Sequence, residues 1–188
     1  MNYTPNQALR KLIAGNEIYL NSKNNPGNIS SAIRYENSIH GQHPYSVILT
    51  CSDSRVPPEH IFSAGVGELF VIRTAGNVVG GFELGTIEYG LKYLGVPLIL
   101  VMGHSQCGAV AAALDGNAEG YIEDVVHEIQ LGLYGATDEV AAVYNNILNS
   151  RCRIMESSII QKLISDGNIS IVCALYDVKT GAVKFFEC

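Results

Sequence analysis

Short apolar runs separated by stretches of helical spacing organise the chain from residue 45 onward: Tyr45 to Thr50, Leu69 to Ala75, Leu98 to Met102 and Ile169 to Tyr176. Each is apolar at consecutive rather than alternate positions, the pattern of a parallel strand covered on both faces. Between the second and third runs, Leu84, Ile87, Leu91 and Leu94 recur at helical spacing, and Gly95 and Pro97 stop that helix. The three segments make a β-α-β unit. Ala109 to Leu114 then reads as a short alanine-rich helix ending at Gly116. Helical patterns continue through residue 165, with Cys152, Met155, Ile159, Leu163 and Ile164 on them, before Gly167. The segment Tyr176 to Val183 reads as a strand turning into a last edge strand, with Gly181 at a position that calls for positive φ.

At the front of the chain Thr4, Pro5 and Gln7 form a helix start, with Thr4 as N-cap, Pro5 in the first turn and Gln7 closing a capping box. Ala8, Leu9, Leu12 and Ile13 mark one face of that helix. From Asn21 to Gly41 the chain is polar and irregular, a long connection or arm with little core of its own. The expected fold is α/β: a central, mostly parallel β-sheet flanked by helices, with an N-terminal helical arm and a C-terminal edge strand. We expect a single domain over residues 1–188, the arm taking 1–40 and the α/β core 41–188. No internal repeat or low-complexity tract interrupts it.

Composition narrows the function classes. With 188 residues, 47% hydrophobic and 16% charged, the chain can bury a substantial core. A net charge of -6 without clustered Lys and Arg argues against a nucleic-acid groove or an anionic membrane surface. The first residues lack a basic stretch followed by an apolar one, and no run of about 18 apolar residues occurs. The expectation is a soluble, cytoplasmic protein. Five irregularly spaced cysteines suggest thiols kept reduced for metal binding rather than a disulfide framework. Cys152, Cys173 and Cys188 are structural by default.

Two segments carry chemistry: Cys51-Ser52-Asp53-Ser54-Arg55 after the first strand, and His104-Ser105-Gln106-Cys107-Gly108 after the third. Both lie at carboxyl ends of strands, the edge where open α/β sheets bind ligands. If those two strands are neighbours, Cys51 meets His104 and Cys107. Singly, a Cys or a His is more often a small buried hydrophobe or a hydrogen-bonded loop residue. Together, two thiolates and an imidazole suit Zn²⁺ and leave a fourth tetrahedral position open for water or substrate, as catalytic sites do. A structural zinc would recruit a fourth Cys or His, and none lies within a few residues of Cys51 or Cys107. Cys107 opens a helix, which favours its thiolate. Asp53 and Arg55, two apart, can pair so that the carboxylate stays ionised and oriented. Such an aspartate accepts a hydrogen bond from the metal's water, or displaces that water as fourth ligand.

These two motifs, with Val56-Pro57-Pro58-Glu59 and Arg73-Thr74-Ala75-Gly76-Asn77 between them, closely resemble the β-class carbonic anhydrases. The resemblance runs from about Gly41 to Leu114 and resumes more loosely in the closing strand-turn-strand. It implies one zinc per subunit on Cys51, His104 and Cys107, beside an Asp53–Arg55 dyad. The implied reaction is attack of zinc-bound hydroxide on carbon dioxide to give bicarbonate and a proton. It also implies a homodimer or an assembly of dimers, with sites at the subunit interface and N-terminal helices wrapping a partner. By similarity, Gln42 hydrogen-bonds the substrate, and Phe70, Ala75 and Tyr89 line its apolar pocket. Ala75 stands where some members carry a larger residue. Phe70 in a strand and Tyr89 in a helix would otherwise be ordinary core aromatics.

Some bicarbonate-inhibited members carry a tryptophan three residues before the first zinc cysteine; here that position is Ile48, and the chain has no tryptophan. Proton carriers by pKa alone are His40, His43, His60 and His127. Two other readings share the motifs: a hydrolase of carbonyl sulfide or carbon disulfide on the same fold, and a zinc-binding member without catalysis.

Overall fold

The computed structural model describes residues 3–187. Cys188, one of the three cysteines taken as structural, lies outside them. Two helices come first, α1 (Pro5–Asn21) and α2 (Ser31–His40), then β1 (Ser46–Cys51) and a one-turn α3 (Pro58–Ile61). Strand β2 (Leu69–Thr74) runs into a 3₁₀ turn at Ala75–Asn77, α4 (Gly81–Lys92) and β3 (Leu98–His104). Helices α5 (Gly108–Asp115), α6 (Ile122–Gly132), α7 (Glu139–Ile154) and α8 (Ser158–Ser165) follow. The chain closes with β4 (Ser170–Tyr176) and β5 (Val183–Phe186). The strand order is β2-β1-β3-β4-β5. All neighbours are parallel except β4 and β5, which pair antiparallel. This is the expected α/β class, a mixed sheet with an antiparallel strand at one edge.

The consecutive apolar runs are explained by burial on both faces. Every residue of β1 and β3 is buried. Val47, Leu49, Cys51, Ile99 and Val101 face a layer built from α4 to α8, while Ile48, Leu98, Leu100 and Met102 face α1 and α3. Strand β2 differs: it is an edge, and Leu69, Phe70 and Val71 are only partly covered. An apolar run alone does not separate an edge from a centre.

Helix α1 starts as its sequence dictates, with the Gln7 N–H donating to Thr4 Oγ1 at 3.3 Å and the Thr4 N–H to Gln7 Oε1 at 2.8 Å. It lies on its own chain through Ala8, Leu12, Gly15 and Asn16. Gly15 allows the close approach, because a Cβ there would stand 2.1 Å from the Phe62 carbonyl oxygen. Asn16 ties the helix to the turn between β4 and β5, donating to the Gly181 carbonyl at 3.0 Å and accepting from the Val183 N–H at 3.0 Å. That turn holds Gly181 at φ 79°.

Helix α2 was not legible in the polar stretch from Asn21 to Gly41; Ser30 caps it, and it buries no residue. Cys173 in β4 is disulfide-bonded, so the expectation of reduced thiols applies to Cys51, Cys107 and Cys152. The count and spacing of cysteines do not report which ones a fold brings together. Among the described residues no helix is long and apolar enough to cross a membrane.

Candidate metal centre

Because β1 and β3 are parallel neighbours, in register from Val47↔Ile99 to Thr50↔Met102, their carboxyl ends open on one edge. β1 ends on Cys51 and β3 on His104, while Cys107 occupies the N-cap of α5. The sequence spacing thus converges as expected for adjacent strands. One ligand atom from each of Cys51, His104 and Cys107 lies within 4.8 Å of the others, and all three residues are buried. The two sulfurs are 4.0 Å apart, a contact distance and not a bond.

His104 Nδ1 is 2.9 Å from the Ser105 carbonyl, which can only accept, so Nδ1 carries the proton and Nε2 presents its lone pair. That Nε2 is fully buried and has no hydrogen-bond partner among the described residues. An orphaned buried nitrogen is costly unless something binds it. The Cys107 S–H hydrogen bond, against the cost of burial, pulls the Cys51 thiol well below its ordinary range. The same contact and burial push Cys107 up. A dication bound between them would favour loss of the second thiol proton as well. Two sulfurs and a free imidazole nitrogen fit a borderline-soft dication with one position left over.

Beside them, Arg55 grips Asp53 with both ends of its fork. Nε reaches Oδ1 at 2.9 Å and Nη2 reaches Oδ2 at 2.7 Å, while the Arg55 N–H adds a third bond to Oδ1 at 2.9 Å. The guanidinium holds the Asp53 carboxyl well below the usual carboxylate range, against the cost of burial. Asp53 Oδ2 also stands 3.9 Å from His104 Nε2, on the metal side. Arg55 Nη2 donates to the Gln106 carbonyl at 3.0 Å, joining the two motif loops.

Sequence reading gave no role to Arg73, yet it clamps the first loop: Nε donates to the Cys51 carbonyl at 3.0 Å and Nη2 to the Asp53 carbonyl at 2.6 Å. The available signal was a lone cation closing the apolar strand Leu69 to Thr74. Ala75 opens the 3₁₀ turn at the centre, and the next residue, Gly76, donates its N–H to Cys51 Sγ at 3.3 Å.

The other pocket residues lie elsewhere in the chain. Phe70 stacks on Tyr89 at 6.2 Å between ring centroids, and Tyr93 packs against Tyr89 in a tilted arrangement at 5.4 Å. Phe70 pairs with Val47, whereas Thr74 pairs with Cys51, so Phe70 sits four residues toward the amino end of the sheet, roughly 13 Å from the metal edge. Gln42 is exposed in the loop entering β1, at that same far end. His40, His43 and His127 are exposed. His60 accepts at Nδ1 from Asn25 Nδ2 at 2.7 Å, and with Lys23, Ser54 and Arg55 it lines a cavity of about 360 Å³.

A mostly parallel α/β sheet that brings Cys51, His104 and Cys107 together as a group able to hold a metal, with an ion-paired carboxylate beside them at its carboxyl edge, has the architecture of a metal-dependent enzyme. Comparison with known proteins narrows it. The family model for carbonic anhydrase matches residues 46–183. Carbonic anhydrase 2 of Mycobacterium tuberculosis is 38% identical over 192 residues, covering 96% of this chain and 92% of its own. The solved β-carbonic anhydrase CcaA superposes with a TM-score of 0.75 at 29% identity, over 95% of each chain. A tetrameric β-carbonic anhydrase of Sordaria macrospora gives 0.71 at 25% identity, over 84% of this chain and 92% of its own. The chain belongs to the β-class carbonic anhydrases and is an enzyme of that family.

Proposed function

We propose that the chain catalyses the reversible hydration of carbon dioxide to bicarbonate and a proton, with one zinc ion held by Cys51, His104 and Cys107. The observation that carries this is the Asp53 carboxylate, fixed by Arg55 and 3.9 Å from the unpartnered His104 nitrogen. Zinc bound there would acidify a water in its open position, less strongly than with neutral ligands because two thiolates donate charge. Asp53 accepts a hydrogen bond from that position and turns an oxygen lone pair toward the substrate. Both Asp53 oxygens are already engaged by Arg55, and Arg55 by Gln106, which favours water over Asp53 as the fourth ligand. Of the four histidines, His60 shares a cavity with Arg55 and is the best placed to pass the proton outward.

Ala75 supplies an apolar wall beside the metal. Gln42, Phe70 and Tyr89, at the far end of the sheet, would serve the metal centre of a second copy, in a homodimer. Phe82 and Tyr89 on α4 and Tyr93 at its C-cap are 90%, 48% and 72% exposed, an apolar surface of the kind that pairs. This arrangement predicts complementation. Cys107→Ser and Gln42→Ala chains, each nearly inactive alone, recover about a quarter of wild-type activity when coexpressed at equal levels, because half the dimers are mixed and each carries one intact site. No recovery would place the pocket within one chain.

Zinc quantification with stopped-flow hydration across pH tests the main reading. One zinc per chain and hydration that rises with pH are expected. Stoichiometric zinc without hydration at any pH overturns it, and sulfide release from carbonyl sulfide outpacing hydration assigns the sulfur substrate instead.

A further inference from the structure

The metal edge of β1 is backed by a buried polar chain that neither the ligands nor the dyad explain. Helix α7 contributes Asn146 and Ser150, one turn apart and each 1% exposed. Asn146 donates Nδ2–H to the Gly76 carbonyl at 2.7 Å. Ser150 Oγ accepts from Asn77 Nδ2 at 3.0 Å and donates toward the Asn77 carbonyl at 2.8 Å. Two successive carbonyls of the 3₁₀ turn are therefore held by one helix some 70 residues away in sequence.

The turn needs such support. Gly76 and Asn77 take φ of 63° and 50°, and left-handed backbone is unfavourable for Asn77 unless its surroundings fix it. A Cβ at 76 would also meet Ile129 Cδ1 at 2.7 Å and Ala109 Cβ at 3.2 Å, so a side chain there would displace its neighbours. Asn146 Oδ1 has no partner among the described residues. An amide buried with half its hydrogen-bonding capacity unused is a poor way to fill a core position, so its Nδ2 contact carries the reason for its presence.

On the other side of the same residue, the Gly76 N–H points at Cys51 Sγ, at 3.3 Å. We propose that Asn146 is a positioning residue of the metal centre: by holding the Gly76 carbonyl it keeps the Gly76 N–H on the Cys51 sulfur, and so sets how much charge that thiolate gives the metal. The proposal rests on Cys51 being a metal ligand. A hydrogen bond to a ligating sulfur stabilises its negative charge and weakens its donation, leaving the metal a stronger acid. In a site with two thiolates, that correction acts where it matters most.

The test compares Asn146→Leu, which keeps the bulk and loses the donor, with Ile147→Val, a buried apolar loss on the same helix. Asn146→Ala replaces the leucine variant if that fails to fold. Zinc affinity is read by chelator competition and sulfur donation by the thiolate-to-metal charge-transfer band of the cobalt(II)-substituted protein. The Asn146 variant should show the band at lower energy and reach half-maximal hydration at higher pH, and, because a thiolate without that hydrogen bond holds a proton more tightly against the metal, bind zinc roughly 10–100-fold more weakly at neutral pH. Ile147→Val should lower the melting temperature and leave affinity and band unchanged. An Asn146 variant whose band and zinc affinity match the wild type overturns the proposal, whatever its melting temperature. A wild-type protein with the thiolate band but no hydration would instead refute the proposed reaction and leave the role of Asn146 standing.

Discussion

Cys107→Ser is expected to yield a folded, metal-free and inactive protein. The change replaces sulfur by oxygen at one of three converging ligand atoms. A serine hydroxyl stays protonated at neutral pH and binds a soft-preferring dication poorly, so two ligands remain where catalytic zinc needs three. Folding should survive. Cys107 is 2% exposed, and a buried hydroxyl without a partner costs about 1–3 kcal/mol. The residue is also the N-cap of α5, where serine is among the preferred types and offsets part of that cost by about 1 kcal/mol. Zinc content, circular dichroism and hydration rate decide the matter together. Full activity in a metal-free Cys107→Ser protein would sink the proposed mechanism.

The site was legible from sequence to the extent that chemistry follows strand ends. A consecutive apolar run fixes a buried strand, and the residues just after it must lie on the carboxyl edge. That step located Cys51, His104 and Cys107 before the strand order was known. The order itself, which makes β1 and β3 neighbours, is a tertiary fact that local pattern leaves conditional. Burial of β2 was over-read for the same reason, since no residue in Leu69 to Thr74 records that one side of it has no strand.

Other parts were hidden because their role is a contact across the chain. Arg73 clamps a loop about 20 residues away, and Asn146 a turn 70 away. Helix α2 escaped because helices are recognised by an apolar stripe facing a core, and this one buries nothing of its own. Gln42, Phe70 and Tyr89 came from family resemblance alone. Within one chain they lie at the opposite end of the sheet from Cys51, His104 and Cys107, a separation that no local pattern in the sequence records.

Asp53→Ala separates holding the metal from using it. Asp53 contributes no atom to the three-ligand set, so zinc content should stay at one per chain while kcat/KM falls about 100-fold or more. Stability should change little, because the Asp53–Arg55 pair is partly exposed, with side-chain exposures of 18% and 49%, and such pairs contribute about 0–1 kcal/mol. The pH dependence sharpens the test. Arg55 depresses the Asp53 pKa in the folded state, so the carboxylate's contribution is fully present above its unfolded pKa of about 3.9 and is lost only as pH falls through the lower folded value. Asp53 therefore remains an acceptor throughout the neutral range, and a fall in wild-type hydration between about pH 8 and 6 cannot be its protonation; on the proposed reading it follows the water at the metal. The variant should keep that midpoint nearly in place while the plateau drops. Asp53→Asn, which preserves shape but loses charge and one acceptor oxygen, should show the same loss with the Arg55 grip reduced to a single bond. If zinc content instead falls in proportion to activity, Asp53 is a ligand and the fourth position is not water.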